Sequence, residues 1–150
     1  MFICAAARRG HENASPLAAA LAGTIALAAP AQAAQPINGR YVTEDGAALV
    51  EVGPCGGKTC GRIVRVLKHT PGAAATDVNN KDKALRSRPI VGMPVLSEFA
   101  DAGDDWRGRI YDPRNGKTYK SIVSRNADGT LKVQGCIAFL CQTQTWRPAR

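Results

Sequence analysis

The stretch WRGRIYDPRNGKTYKSIVSR, residues 106–125, is typical of two β-strands joined by a tight turn. Both arms are rich in β-branched and aromatic residues, and Pro113 and the pair Asn115-Gly116 stand at the reversal. The rest of the chain repeats this pattern of short apolar runs separated by Gly, Asp and Asn. The further runs are GRYVTEDG, AALVEVG, GRIVRVLK, LKVQGCI and CQTQTWR. About seven short strands predict an all-β antiparallel meander, either a small barrel or a sandwich.

Two stretches lack the strand pattern. His69–Pro89 is rich in Pro, Gly, Asn and charged residues, and it predicts a long loop at about 69–89 that crosses the barrel mouth or one edge. Loops of this length are usually functional or disordered, and the residues do not decide between the two. The stretch PVLSEFA, Pro94–Ala100, is predicted as a short helix or turn.

The amino-terminal segment has the order of features of a secretory signal peptide. A positive start at Arg8 and Arg9 precedes an almost wholly apolar run, Pro16–Pro30, and Ala31–Ala33 has small residues where a signal peptidase reads them. We therefore predict a signal peptide at residues 1–33. An uncleaved anchor is the weaker alternative, because a membrane span needs about 20 apolar residues.

Cleavage is expected after Ala33 or Ala34, which leaves one domain, residues 34–150, in the periplasm or outside the cell. Of the 20 basic and 12 acidic residues, two and one lie in the removed segment, so the processed chain has a net charge of +7. Outside the cytoplasm such a charge favours anionic lipid head groups, wall polymers and acidic small molecules, or only solubility. The aromatic residues are not interleaved with basic ones as nucleic-acid platforms require, so no nucleic acid is expected.

Four cysteines remain after processing, in two C-x4-C pairs. In an oxidising compartment they indicate disulfides, and of the three possible pairings we expect the local ones, Cys55–Cys60 and Cys136–Cys141. Two cysteines facing each other across a hairpin lie about 4.5 Å apart at Cα in the non-hydrogen-bonded register, within reach of a disulfide. Zinc suits a reducing compartment and a redox pair prefers C-x-x-C at a helix start, so both are weaker alternatives. We predict no metal and no cofactor.

No catalytic constellation is visible, and we expect no enzymatic activity. His69 is the one histidine left after processing, and the serines lack the sequence context of a nucleophile. The acidic and amide residues of Asp77–Asp82 resemble a calcium loop only weakly, because they lack its glycine and final glutamate. They are more typical of turns in which Asn and Asp side chains bond their own backbone.

Arginines on two predicted strands are candidate anion ligands. Along one strand Arg107, Arg109 and Tyr111 share a face, and Arg62 lies on another strand. If Arg62 and Arg109 converge, their guanidinium groups suit a carboxylate or phosphate. The alternative is that both simply face solvent. Arg86 and Arg88 provide a counterpart in the long loop.

Six motifs occur in order: DGAALVEV, CGGKTCGRIV, DVNNKDKALRSRPIVGMPVL, WRGRIYDPRNGKTYKS, LKVQGC and LCQTQTW. Over Gly39–Trp146 the chain resembles the bacterial family of unknown function DUF2147. The resemblance implies a secreted or periplasmic protein with a lipocalin-like, or calycin-like, β-barrel. It implies no reaction and no ligand.

The chain departs from the family pattern at two positions that the resemblance associates with closure of the barrel base. Tyr41 stands where the family tends to have Trp, and Gln142 where it tends to have Arg. We therefore expect Tyr41 to plug the base, with Gln142 or Arg147 donating to its hydroxyl.

The leading hypothesis is an exported small β-barrel binding protein for an apolar or amphipathic anionic small molecule, such as a lipid or fatty acid. Trp106, Tyr111 and Phe99 would contact the apolar part, and Arg62 and Arg109 the anionic end. This hypothesis depends on analogy between folds and on charge. The alternative is a cell-envelope interaction module with a filled core, which binds a protein or an anionic wall polymer through its basic surface. A hydrolase is a third and weaker alternative, and no stable membrane span is expected.

Overall fold

Eight antiparallel strands, each paired with its neighbours in sequence, close into a barrel. The computed structural model describes residues 33–150, so the predicted signal peptide lies outside the described residues apart from Ala33. The strands are β1 Gly39–Val42, β2 Ala48–Cys55, β3 Lys58–Val66, β4 Pro94–Asp101, β5 Trp106–Asp112, β6 Lys117–Arg125, β7 Leu131–Ile137 and β8 Leu140–Pro148. This topology confirms the predicted meander barrel and excludes the sandwich.

Strand β4 occupies the stretch that the sequence predicts as a helix or turn, so that prediction is wrong. Ser97 pairs with Arg109 and Ala100 with Arg107, so two residues of β4 stand opposite one residue of β5. Such a bulge adds a residue to one strand, and Glu98 adopts the left-handed conformation at φ 61°. Leu96 and Phe99 are consequently both buried although they are three residues apart, a spacing that looks helical in the sequence.

The strand order gives the barrel two distinct ends. The mouth carries the β1–β2 turn, the β3–β4 connection, the β5–β6 turn and the β7–β8 turn. The base carries the amino-terminal segment 33–38, the β2–β3, β4–β5 and β6–β7 turns, and the carboxyl end of the chain. The one helix in the described part is a single 3-10 turn, Lys83–Leu85, within the β3–β4 connection.

The interior below the mouth is filled by side chains that pack as one cluster. Its buried members are Ile37, Tyr41, Val50, Val52, Ile63, Met93, Val95, Leu96, Phe99, Val123, Leu131, Val133 and Trp146. Gly108 of β5 makes room for Phe99, because a Cβ at this position would lie 2.6 Å from both the Phe99 ring and the Ser97 carbonyl oxygen. A barrel of eight strands is just wide enough for such filling.

The amino-terminal segment closes the base. Ile37 is completely buried in the core, the Trp106 indole donates a hydrogen bond to the Gln35 carbonyl at 2.9 Å, and Arg125 donates to the Pro36 carbonyl at 3.0 Å. These contacts attach the segment to β5 and β6, so it packs as part of the barrel.

Tyr41 is fully buried at the base, but its hydroxyl partner differs from the predicted one. The hydroxyl donates to the Asn38 carbonyl oxygen at 3.3 Å. Gln142 lies exposed near the start of β8, at the mouth, and Arg147 is exposed opposite Val42. The expectation of a hydrogen bond from Gln142 or Arg147 is therefore wrong, because β8 enters from the mouth and puts Gln142 far from the base.

Within residues 33–150, no helix has the length and apolar character that a membrane crossing requires.

Candidate functional site

One row of the inner face near the mouth consists mostly of small side chains. Gly108, Ser121, Gly135 and Gln142 are aligned across β5, β6, β7 and β8. Residues aligned across antiparallel strands point to the same face of the sheet, and Phe99 above Gly108 marks that face as the inner one. The neighbouring side chains of Phe99 and Ile110 occupy the space beside the two glycines of this row.

The next row toward the rim is apolar. Ile110 is aligned with Tyr119, and Ile137 with Leu140, one step above the small row. Ile137 and Leu140 are 66% and 69% exposed although they belong to the inner face. We call these two residues the apolar wall.

The apolar wall is exposed because the β7–β8 hairpin extends beyond the rim. Strand β1 pairs only with Arg147 and Pro148, so the first half of β8 has no neighbour on that side. The Glu44 carboxylate accepts a hydrogen bond from the Thr145 amide at 2.6 Å, which marks the level at which the β1–β2 turn meets β8. Residues 137–140 therefore extend past the neighbouring β1–β2 turn at the mouth.

Two polar groups flank the apolar wall. The hydroxyl of Ser121 is buried and makes no hydrogen bond to any residue in the described part of the chain, which is unusual for a buried polar group. Lys117 is exposed at the start of β6, in the same alternation as Tyr119 and Ser121, so it continues the inner face to the rim. No carboxylate in residues 33–150 forms an ion pair with Lys117.

The β3–β4 connection covers another sector of the mouth and is fixed by a buried carboxylate. Asp77 is completely buried and accepts hydrogen bonds from Tyr111 at 2.6 Å, Asn80 at 2.7 Å and Arg88 at 2.8 Å. We call these four residues the latch. A buried carboxylate needs such partners, because an unpaired one would carry a large desolvation penalty. The latch connects the long loop to the end of β5.

The electrostatics of the latch keep its carboxylate ionised and its phenol neutral. Burial opposes ionisation of Asp77, but the hydrogen bonds from Asn80, Tyr111 and Arg88 outweigh it and hold the pKa of this carboxyl below its usual value of 3.8. Burial and the adjacent Asp77 carboxylate raise the pKa of Tyr111 to about 12. Both groups therefore keep one protonation state through the neutral range.

A second attachment holds the connection to the β5–β6 turn. The side-chain amide of Asn79 donates to the Pro113 and Arg114 carbonyl oxygens at 3.2 and 3.1 Å. The backbones approach so closely that a Cβ on Gly116 would collide with the Asn79 carbonyl oxygen, and Gly116 has φ 67°. Glycine at this position therefore serves both the turn and the contact. The predicted loop at 69–89 is thus attached at the mouth to the end of β5 and to the β5–β6 turn.

The structure does not bring Arg62 and Arg109 together. Arg62 is exposed and stands opposite Pro94, whereas Arg109 stands opposite Ser97, so one strand and three residues separate them. Arg109 pairs instead with the exposed carboxylate of Glu98 at 3.1 Å. The two arginines lie on the outer surface of the barrel.

The three aromatic candidates lie at different levels of the barrel. Phe99 is completely buried in the core, and Trp106 is half-buried at the base. Tyr111 is at the mouth, where it belongs to the latch and lies under Arg88, whose guanidinium carbon is 5.8 Å from the ring centroid. Of the five predicted ligand-binding residues, Tyr111 is the one that lies at the mouth, the end of the barrel that carries the apolar wall. That any of the five binds a ligand stays a prediction.

Both predicted disulfides are confirmed. Cys136 and Cys141 face each other directly, with Cα atoms 4.0 Å apart, whereas Cys55 and Cys60 are joined diagonally at 5.8 Å. In the second case Cys60 is aligned with Gly53, so the expected directly opposed register holds for one hairpin only.

The Asx-rich motif serves the latch and local turns. Asp82 accepts from the Ala84 amide at 3.0 Å and so caps the 3-10 turn, and Arg86 donates to the Asn80 carbonyl at 2.8 Å. Within residues 33–150 no group of three or more His, Cys, Asp or Glu side chains is arranged to hold a metal ion. The motif is therefore explained by structure.

Two open clefts lie outside the barrel, near its base. One, of about 500 Å³, lies along the β1–β8 seam and is lined by Val42, Thr130, Arg147, Pro148, Ala149 and Arg150. The other, of about 460 Å³, lies beside the β6–β7 turn and is lined by Gln35, Arg125, Asn126, Ala127 and Gly129. Both are shallow surface depressions away from the mouth.

Sequence reasoning missed the residues that form the exposed inner wall. Ser121 and Lys117 could have been found from the alternation of KTYKSIVSR, which gives one face to Lys117, Tyr119, Ser121 and Val123. The second cysteine pair encloses IAFL, an apolar tip where a polar turn is usual. The composition of that tip was the overlooked signal.

Residues 39–147 match a bacterial family described as "Uncharacterized protein conserved in bacteria (DUF2147)". Among solved structures, the chain is similar to one titled "Protein HP1028 from the human pathogen Helicobacter pylori belongs to the lipocalin family". The two share 25% identity with a TM-score of 0.66, over 77% of this chain and 84% of that chain. No curated protein matches.

Proposed function

We propose, from the premise that this chain belongs to the bacterial family DUF2147 and has a lipocalin-like barrel, that its mouth binds an apolar or amphipathic anionic small molecule, such as a fatty acid or lipid. The observation that carries the proposal is the apolar wall. Ile137 and Leu140 belong to the inner face of the barrel and yet are about two-thirds exposed. Covering apolar surface in that position with a ligand is favourable, because it removes that surface from water.

The chemistry of the mouth fits an amphipathic molecule. An acyl chain lying against Ile137, Leu140 and Tyr119 would cover the apolar surface. The ammonium group of Lys117, on the same face at the rim, would meet a carboxylate or phosphate. The Ser121 hydroxyl below the apolar wall is buried without a hydrogen-bond partner in the described residues, and a polar group of the ligand would reach it only if the side chains that cover it moved aside.

The position of Lys117 gives the anionic end of a ligand a different partner from the one predicted by sequence. Arg62 and Arg109 lie on the outer face, and Arg109 is paired with Glu98. Phe99 is enclosed by the core and Trp106 faces the base. Tyr111 stands at the mouth, but it alternates with the inward-facing Ile110 and so belongs to the outer face of β5, where the latch holds it.

The proposal includes export to the periplasm or the exterior. The two disulfides support it, because such bonds persist in oxidising compartments. It also specifies binding without catalysis. Ser121 has no neighbouring base within the described residues that would activate its hydroxyl, and nucleophilic catalysis needs one.

A fluorescence titration tests the binding proposal. The full chain with both disulfides formed is titrated with dansylated undecanoic acid, and saturable enhancement is expected. Leu140→Ser should weaken the affinity about tenfold or more, because burying a leucine side chain contributes about 1.5–3 kcal/mol. Phe139→Ser is the matched control: this neighbour lies in the turn, outside the inner rows, and its change should leave the affinity within about twofold. A titration without saturation, or equal effects of the two variants, contradicts the proposal.

The second candidate function is a cell-envelope interaction module. The filled interior below the mouth favours it, because a packed barrel leaves surface contacts as its means of binding. In that case an anionic wall polymer or an envelope protein would be retained by the immobilised chain at low salt and released at high salt. The dansylated acid would then not bind.

A further inference from the structure

We infer that the mouth also docks on an anionic lipid surface, with Phe139 inserted among the lipids. All eight of the exposed large apolar side chains within residues 33–150 lie at this one end of the barrel. They are Val66, Leu67, Val78, Leu85, Val91, Ile137, Phe139 and Leu140. Single exposed apolar residues are ordinary, but their segregation to one end marks an interaction surface.

The β7–β8 turn is the most prominent part of that surface. Phe139 is 90% exposed at its tip, between the exposed side chains of Ile137 and Leu140. The Cys136–Cys141 disulfide fixes the hairpin directly behind them. Ala138 takes φ 53°, a conformation that costs a residue with a Cβ about 1–2 kcal/mol and that glycine would adopt freely. The turn thus holds Phe139 in water although the backbone conformation of Ala138 is unfavourable.

Charge selects an anionic partner. The loops and turns of the mouth carry six basic and four acidic side chains, whereas the base segments carry one basic and three acidic ones. Lys120 is aligned with Cys136 on the outer face of the hairpin, so it lies behind the apolar tip. An exposed apolar residue flanked by basic groups is the arrangement that binds anionic membrane interfaces.

A projecting tip favours lipid over protein as the partner. A protein would need a pocket shaped to Phe139, whereas the boundary of head groups and acyl chains accepts an apolar side chain of any shape. The other exposed apolar residues of the mouth are dispersed over two segments, the β3–β4 connection with the end of β3 and the β7–β8 hairpin, which suits a flat and fluid partner. This inference can be tested separately from ligand binding, because Phe139 lies outside the apolar wall.

Vesicle sedimentation tests the inference. The full chain is mixed with vesicles of phosphatidylglycerol and phosphatidylcholine, or of phosphatidylcholine alone. Wild type should bind the anionic vesicles at least about tenfold more strongly than the zwitterionic ones, since each basic residue near an anionic surface adds to the attraction. Phe139→Ser should reduce binding to the anionic vesicles about tenfold, because the inserted ring is lost.

A pair of lysine variants separates local charge from net charge. Lys120→Gln, behind the apolar tip, should weaken binding about fivefold, the effect of one basic residue at an anionic surface. Lys58→Gln makes the same change of net charge at the base turn and should leave binding within about twofold. Phe139→Ser that binds vesicles as wild type does, or equal effects of the two lysine variants, overturns the inference. So does retention of wild type by a protein partner at a site that Phe139→Ser abolishes while vesicles stay unbound.

A second and independent observation concerns the processing site. The backbone nitrogen of Ala34 lies 3.2 Å from both carboxylate oxygens of Asp101, and Ala34 is only 8% exposed. A single amide hydrogen cannot serve both oxygens well, whereas the three hydrogens of an ammonium group can. We propose that a peptidase hydrolyses the Ala33–Ala34 bond, so that Ala33 ends in a carboxylate and Ala34 begins with an ammonium group held by Asp101.

The contact between Ala34 and Asp101 distinguishes the two cleavage sites that the sequence leaves open, after Ala33 or after Ala34. Cleavage after Ala34 would remove the nitrogen that Asp101 binds. Cleavage after Ala33 would keep it and add a charge opposite to that of the carboxylate, which strengthens the hydrogen bonds. The water consumed by hydrolysis is the only other reactant.

Intact-mass measurement of the protein exported by a bacterial host tests the site of cleavage. A chain beginning at Ala34 is expected, and one beginning at Gln35 or retaining residues 1–33 overturns the proposal. Asp101→Asn should lower the thermal midpoint of the processed chain more than that of the unprocessed one. Asp104→Asn, in the same β4–β5 turn, is the control and should lower neither. Equal loss in both forms of Asp101→Asn would also contradict the ammonium contact.

Discussion

The two disulfide hairpins have the same C-x4-C spacing but stand at opposite ends of the barrel and display opposite chemistry. The β2–β3 hairpin at the base turns through Gly56 and Gly57, at φ 54° and 78°, where nothing but hydrogen points outward. The β7–β8 hairpin at the mouth turns through Ala138 and Phe139, and Phe139 is 90% exposed. A shared covalent constraint therefore serves two different purposes.

The two hairpins differ in the residues at their tips and not in their disulfides. Glycines reach positive φ without steric cost, so the base turn is the relaxed solution. The mouth turn reaches φ 53° at Ala138 despite its Cβ and keeps an apolar side chain in water. A disulfide alone does not require either feature. The mouth tip is therefore better explained by what it contacts than by what it stabilises.

The largest predicted effect separates a buried from a displayed phenylalanine. Phe99→Ala empties space in the core above Gly108 and should lower the free energy of unfolding by about 3–5 kcal/mol. Phe139→Ala removes the same atoms from water at the mouth tip and should change it by less than about 0.5 kcal/mol. Urea denaturation of both variants measures the contrast. A loss of unfolding free energy above about 1 kcal/mol for Phe139→Ala would exceed the usual range for surface substitutions. It would show that the tip stabilises the fold.

The second effect concerns the latch, which exists at the mouth only. Asp77→Asn keeps the size of the side chain but removes a charge that accepts from Arg88 and Tyr111, and it should cost about 1.5–3 kcal/mol. Hydrogen exchange should show the loss of protection concentrated in the β3–β4 connection. Tyr111→Phe, which removes one hydrogen bond, is the graded comparison and should cost about 1 kcal/mol. Loss of protection spread evenly to the base would mean that the latch supports the whole barrel.

The third effect compares the two disulfides directly. Replacing both cysteines by serine in either pair should cost about 2 kcal/mol, because the two closed loops have equal length. Only the change at Cys136 and Cys141 should also weaken binding of dansylated undecanoic acid, since that pair fixes the apolar wall. Thermal denaturation and the titration measure the two quantities. Equal loss of ligand binding in both double variants would remove the distinction between the hairpins.

The smallest effect is in pH dependence. The folded-state pKa of Asp77 is below 3.8, so its contribution is complete above about pH 4 and is lost as the pH falls through the folded-state pKa. The pKa of Tyr111 is raised from 10.0 to about 12, so its contribution is complete below pH 10 and is lost as the pH rises toward about 12. Urea midpoints across pH should therefore fall more steeply in wild type than in Asp77→Asn on the acid side. On the alkaline side, Tyr111→Phe should make the urea midpoint less dependent on pH. At the base, the Trp106 indole that donates to the Gln35 carbonyl does not titrate. Hydrogen exchange at this contact should therefore respond less to pH, beyond the intrinsic pH dependence of exchange, than exchange at the latch.

The architecture of this chain is largely readable from its sequence, because alternation, turn residues and cysteine spacing are local signals. They predict the meander and both disulfides. These local signals do not reveal strand β4, because the bulge at Glu98 interrupts the alternation of buried and exposed side chains. Such a bulge is fixed by pairing with β5 rather than by local sequence.

The site was harder to predict, because it depends on which half of a strand lacks a neighbour. Ile137 and Leu140 look like ordinary strand residues, and only the short pairing of β1 with Arg147 and Pro148 exposes them. Likewise, nothing in the sequence shows that Arg109 meets Glu98 on the outside. The partners of Asp77 are Asn80 and Arg88 within the long connection and Tyr111 on β5, so the stretch 77–88 alone does not reveal the contact with β5.

The central claim is that the inner face at the mouth binds an acyl chain. Spin-labelled stearate added to the isotopically labelled full chain tests it most directly, through the broadening of backbone amide signals. We expect broadening at Ser121, Gly135 and Leu140, with Gly56 and Gly57 at the base unchanged. Broadening confined to the base, or none at saturating stearate, would contradict it.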